Sequence, residues 1–190
     1  QWDTTEEARI EAGLSLRHLR FGPEDQVVAA GLSHAVDLAL EPNLAFVTAG
    51  TDTVRFLPLP DSFLGSTFAG SMIKGLVDTS PGNILAAITG HPRVYRLDYR
   101  GVVVDSVTLP PAIYESFELP RTVQEEDPGD FQKRVKWIQA LRSTEDGRVA
   151  VLELYGYEPG TDQWLQQIVW FPLVGNGPVA VTDPCDCRLL

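Results

Sequence analysis

The stretch NILAAITGHPRVYR, residues 83–96, lies on NLAFVTAGTDTVRF, residues 43–56, without a gap: Asn43 meets Asn83, Gly50 meets Gly90 and Val54 meets Val94, each displaced by 40. A strand, a turn and a second strand therefore recur. Working outward, each copy follows a further apolar stretch, HAVDLALEP (34–42) and MIKGLVDTSPG (72–82). Downstream, residues 91–110 read HPRVYRLDYRGVVVDSVTLP, where Tyr95, Leu97 and Tyr99 alternate with Arg96, Asp98 and Arg100. The alternation predicts a strand with Tyr95, Leu97 and Tyr99 between sheets and the arginines toward solvent. In DYRG (98–101), Asp at the first position and Gly at the fourth predict a type I turn into VVVDSVTL. A third copy runs through VKWIQALRSTEDG, RVAVLELYGY, WLQQIVWFPL and GPVAVTD, displaced by 65 from Asn83 to Arg148.

Four antiparallel strands in about 40 to 45 residues is the period of a propeller blade. Three such units are expected, at 33–70, 71–110 and 135–183. On the strength of SPGNILAAITG, RVYRLDYRGVVVDSVTLP and STEDGRVAVLEL, the chain resembles the bacterial six-bladed β-propellers of the TolB-like and NHL-like kind. The resemblance covers about 150 residues and implies an all-β, propeller-like array of about three blades. Three blades do not close a ring. Gln1 and Leu190 both read as cuts, so the expectation is an incomplete propeller, with CRLL in 184–190 beginning a further strand. SLRHLRF and QVVAAGL, in the lead-in region 1–32, are expected as outer strands of a preceding blade. The alternatives are an open sheet stack completed by a partner and a β-sandwich whose repeats are accidental.

Two segments break the pattern. In QWDTTEEARIEAG (1–13), Asp3 followed by Glu6 and a later Gly predicts a short capped helix. Residues 110–134, PPAIYESFELPRTVQEEDPGDFQKR, carry six acidic and three basic side chains with four prolines, too polar and broken for a blade. They are expected to form a long loop between blades, and such insertions tend to be functional.

Fifteen Lys and Arg against 26 Asp and Glu leave a net charge of −11, which repels polyphosphate and argues against nucleic acid as a partner. No apolar run offers a membrane span, so membrane association is expected only through a partner or an anchor elsewhere. Cys185 and Cys187 are one residue apart. On a strand this sets their Cα atoms about 6.6 Å apart, near the upper limit for a disulfide. The favoured reading is two ordinary thiols.

Partner contacts are expected from the insertion, with Tyr114, Phe117 and Phe131 as aromatic anchors and Glu125, Glu126 and Asp127 as a polar rim. His34, Asp37, Lys74 and Lys136 are the polar candidates for lining a central channel. One carboxylate beside two lysines does not build the oxygen cage that a divalent cation requires. There is no G-x-S-x-G elbow and no phosphate loop, and His18 and His91 are isolated. Trp137, Trp164 and Trp170, with Tyr155 and Tyr157, are read as packing between sheets, or alternatively as a stacking rim for carbohydrate or peptide. The expectation is a noncatalytic binding or scaffold module without cofactor, engaging a protein partner, exported or periplasmic, as a lipoprotein or accessory subunit of a membrane-associated assembly. The alternative implied by the resemblance is a metal-dependent hydrolase or lactonase whose site is completed by missing blades.

Overall fold

Alternating apolar residues separated by turn-forming dipeptides produce strands in chain order, and the computed structural model arranges them in three sheets. It describes residues 14–21, 27–33, 43–48, 54–58, 63, 66, 75–122, 124–158, 160–173 and 177–185. The first sheet contains β1 (Leu14–Phe21), β2 (Val27–Ser33), β3 (Asn43–Thr48) and β4 (Val54–Pro58). The second contains β5 (Gly75–Ser80), β6 (Asn83–Ile88), β7 (Arg93–Leu97) and β8 (Val103–Thr108). The third contains β9 (Trp137–Ser143), β10 (Val149–Tyr157), β11 (Trp164–Pro172) and β12 (Ala180–Val181). Each is an antiparallel meander in chain order, and no sheet closes on itself. Among the described residues the only helix is α1 (Pro128–Arg134). The chain is all-β. No helix among the described residues is long and apolar enough to cross a membrane.

One expectation about strand partners needs correction. LSLRHLRF and VVAAGLS do not belong to a preceding unit: β2 pairs with β3 from Val28↔Thr48 to Leu32↔Leu44, and β1 pairs with β2. Alternation reveals that a strand exists but not which edge it joins, and short connections favour the sequential neighbour. Cys185 belongs to the third sheet, its backbone exchanging two hydrogen bonds of 2.8 Å with Gln166 of β11, whereas the further strand expected from CRLL lies outside the described residues. β12 is only two residues long, and Cys185 satisfies backbone groups of β11 that β12 leaves open. The segment HAVDLALEP and the helix expected over 1–13 lie outside the described residues.

The turns behave as their residues dictate. Gly101 N–H donates to the Asp98 carbonyl at 2.9 Å, while the Asp98 carboxylate accepts from Arg100 N and Val102 N. The TEDG turn repeats the form, with Gly147 N–H donating to the Thr144 carbonyl at 2.8 Å. Gly101 and Gly147 adopt φ of 77° and 67°, a left-handed conformation that glycine enters without steric cost.

The second sheet is apolar on both faces. Val77, Ile84, Ala86, Ile88 and Leu97 pack into one cluster with Val28 and Phe63. The intervening residues Leu76, Leu85, Ala87 and Val94 pack on the other side against Ile138, Leu152 and Phe171 of the third sheet. The period-two pattern thus fills two interfaces from a single sheet. Tyr95, Leu97 and Tyr99 lie on the first cluster, as their alternation predicts. β5 rests against β1 on one side and β9 on the other, so the first strands of the three sheets run side by side.

Candidate functional site

The insertion between β8 and β9 is packed down by its aromatic residues. Tyr114 is 1% exposed, and its hydroxyl accepts a 2.7 Å hydrogen bond from Gly90 N. Phe117 N–H returns a bond to the Gly90 carbonyl at 3.3 Å. Phe131 is fully buried, and the half-buried Phe117 meets it edge-on with ring centroids 5.4 Å apart. Trp137 joins both rings, at 5.3 Å from Phe117 and 5.9 Å from Phe131. Tyr114 and Phe131 are therefore core side chains and not partner anchors, because exposing either would open the cluster that holds the insertion. Burial raises the Tyr114 hydroxyl pKa far above its ordinary value, against the smaller opposing effect of the Gly90 bond. Replacing Tyr114 with Phe leaves the buried Gly90 N–H without its acceptor, an expected loss of about 1–3 kcal/mol in urea unfolding. An unchanged midpoint would show that this bond does not hold the insertion.

The acidic run is also occupied internally. Glu125 Oε2 accepts from Arg121 N at 2.7 Å. Glu126 receives both Arg134 Nε and Nη2, at 3.0 and 2.7 Å, and this pairing holds its carboxyl below the usual range. Asp127 caps α1, accepting from Gly129 N at 2.8 Å and Asp130 N at 3.3 Å, with Pro128 beginning the helix. A capping aspartate followed by proline and basic residues in the last turn is a favourable short-helix arrangement. Glu125, Glu126 and Asp127 accordingly shape the insertion, with Glu125 and Asp127 remaining exposed at its surface.

What the insertion leaves open lies at its end, where α1 runs into β9. Two adjoining depressions, of about 490 and 620 Å³, share Arg134, Val135 and Lys136. The first is walled by Tyr155 and Tyr157 of β10, Leu165 and Gln167 of β11, and Lys133. The second is walled by Ile113, Glu115, Phe117 and Glu118 of the insertion. Beside the first, Trp164 is 37% exposed and meets the lining residue Tyr157 with centroids 3.8 Å apart and the rings tilted by 38°. Lys133 Nζ binds Asp162 Oδ1 at 2.6 Å, which raises its pKa, and stands 5.9 Å from the Tyr157 ring. The aromatic residues of the third sheet thus divide: Trp137 is packing, whereas Tyr155, Tyr157 and Trp164 form an accessible group.

Lys136 is the single channel candidate within the described residues, and it lines both depressions. Its Nζ crosses the end of the third sheet to Gln167 Oε1 at 2.9 Å and the Ile113 carbonyl at 3.4 Å. The insertion ahead of β9 sets its direction, which strand position alone did not reveal. His34, Asp37 and Lys74 lie outside the described residues. His91 stacks on Tyr95 and shares a 3.0 Å hydrogen bond with its hydroxyl; burial, then nearby Arg93, lowers its pKa. Cys185 is disulfide-bonded, which overturns its reading as a free thiol. The strand-based Cα spacing already stood inside the permitted range. Lys133 and Arg134 line the first depression although the sequence pattern does not single them out, since they lie within the polar insertion.

Among the described residues no group of three His, Cys, Asp or Glu side chains stands close enough to hold a metal ion. Compared with known proteins, the chain matches no family model, no curated sequence and no solved structure.

Proposed function

We propose that the chain is a binding module, a propeller-like array of sheets that engages a protein partner through the surface where the insertion meets the third sheet. The observation carrying this reading is the pair of adjoining depressions around Lys136, bordered by the tilted ring pair of Tyr157 and the exposed Trp164. Depressions of this size with aromatic rims and a few directed polar groups suit ligand recognition. The propeller-like reading is supported by three sequential meanders whose first strands lie together, β5 between β1 and β9. The disulfide at Cys185 supports an oxidising compartment, in keeping with an exported module.

A photo-crosslinking amino acid tests the assignment directly. Placed at Trp164 in the producing cells, it is expected to capture one protein in a defined adduct. Placed at Arg100, whose side chain is 83% exposed on the β7–β8 turn, it is expected to capture none. The same set of adducts at both positions, or no adduct at Trp164, overturns the reading.

A further inference from the structure

The stack of sheets ends in two faces, and strand register places a row of residues across each. On the first sheet, Arg20 and Val28 turn toward the second, Arg20 to Asp78 and Val28 into the shared core cluster. Alternation therefore assigns the next row, Leu19, Ala29, Val47 and Val54, one residue from each strand, to the opposite face. Gly31 and Ala45, paired with each other two residues along, share that face with Ala29. None of these six is charged.

At the other end, Leu141, Leu152 and Val169 of the third sheet pack on the second sheet. The neighbouring row, Arg142, Val151, Trp170 and Ala180, accordingly lies on the outer face, again with one residue from each strand. Trp170 is 37% exposed there, with Val151 half-buried beside it. Glu153 in the adjoining row is buried and accepts from the Gln166 amide at 2.6 Å. Arg142 is exposed on the edge strand β9, where its guanidinium stays in water.

We propose that these two end faces pack on each other between two copies of this chain, the third sheet of one on the first sheet of the other at both joints, closing a ring of six sheets. Both joints inside the chain are apolar contacts of sheet on sheet, and the new joint continues them. Trp170, on an inner strand, brings an indole to a face whose middle carries the small residues Ala29, Gly31 and Ala45. The contact is heterologous, and such contacts end in a ring when the rotation closes. Six sheets lie within the range of closed propellers. A four-stranded face of five-residue strands spans about 19 by 16 Å, so two joints with two faces each cover at least about 1,200 Å², the lower bound of a standard-size interface. The joint is distinct from the partner surface, since Trp164 stands six residues, about 20 Å, along β11 from Trp170.

Sedimentation velocity is expected to show a discrete dimer at about 10 μM, an affinity ordinary for an interface of this size. Trp170→Glu is expected to raise the dissociation constant about 100-fold or more, as loss of a central aromatic anchor does, while far-ultraviolet circular dichroism stays unchanged. Trp170→Phe should keep the dimer. A photo-crosslinking amino acid at Trp170 is expected to join two copies through β2 or β3 of the second. A wild-type monomer at that concentration, a dimer that Trp170→Glu leaves intact, or an adduct mapping to the third sheet of the second copy overturns the proposal. A filament or a larger ring overturns closure at two copies. None of these outcomes bears on capture of a different protein at Trp164, which tests the binding-module reading by itself.

Discussion

Replacing Gly90 with alanine is expected to lower the unfolding free energy by about 4 kcal/mol, the combined scale of a strained backbone and an overpacked core. Gly90 has φ of 89°, a left-handed conformation that an L side chain adopts at a cost. A Cβ there would press into the Phe63 ring and stand 2.8 and 2.9 Å from the Phe117 ring. The Phe63 ring is fully buried and has no room to retreat, and the half-buried Phe117 is packed on Phe131 and Trp137. The backbone must shift instead, and Gly90 is where the insertion is fastened, through Tyr114 Oη and Phe117 N. Gly82→Ala separates the two contributions. Gly82 has φ of 80° with nothing within 4 Å of its added Cβ, so only the backbone term remains, about 1 kcal/mol. Equal urea midpoints for the two variants would refute the packing argument.

Most of the strands were legible from residues 43–56 and 83–96, because alternation and turn residues report local geometry. The DYRG turn was legible for the same reason: Asp98 at the first position and a left-handed glycine at the fourth leave little freedom. Strand partners were less legible, as β1 and β2 demonstrate, since pairing depends on connections that alternation does not encode. The insertion was misjudged for a physical reason as well. Tyr114 and Phe131 sit among prolines and carboxylates, so local polarity hid the burial that contact with Gly90 and Trp137 imposes. The helix inside it was available from Asp127, Pro128 and the basic pair Lys133 and Arg134, a capping signature within a segment read as loop. Lys136 was singled out, but its hydrogen bonds to Gln167 and the Ile113 carbonyl join segments distant in sequence, which strand position does not reveal.

A second large effect is expected at Asp78, an aspartate inside the apolar strand β5. Its Oδ1 accepts from Arg20 Nε of β1 at 3.0 Å, and its Oδ2 accepts from the backbone N–H and hydroxyl of Ser143 in β9, at 2.7 and 3.3 Å. One carboxylate therefore ties the first strands of all three sheets. The side chains of Asp78 and Arg20 are 11% and 26% exposed, so the pair is partly desolvated and breaking it costs more than breaking a surface ion pair. Asp78→Ala is expected to lose about 3 kcal/mol, since it removes a charged acceptor from both the guanidinium and the Ser143 N–H. Asp78→Asn should lose about half as much, because an amide oxygen still serves Ser143 while its charge no longer serves Arg20. A double-mutant cycle of Asp78→Asn with Arg20→Gln is expected to show a coupling of about 1 kcal/mol or more. Additive effects in that cycle would mean that the carboxylate acts within the β5–β9 interface alone. A coupling would instead identify Asp78 as the group that makes the unfolding of the first sheet cooperative with that of the other two, an arrangement that a stack of sheets needs when each contacts only its neighbours.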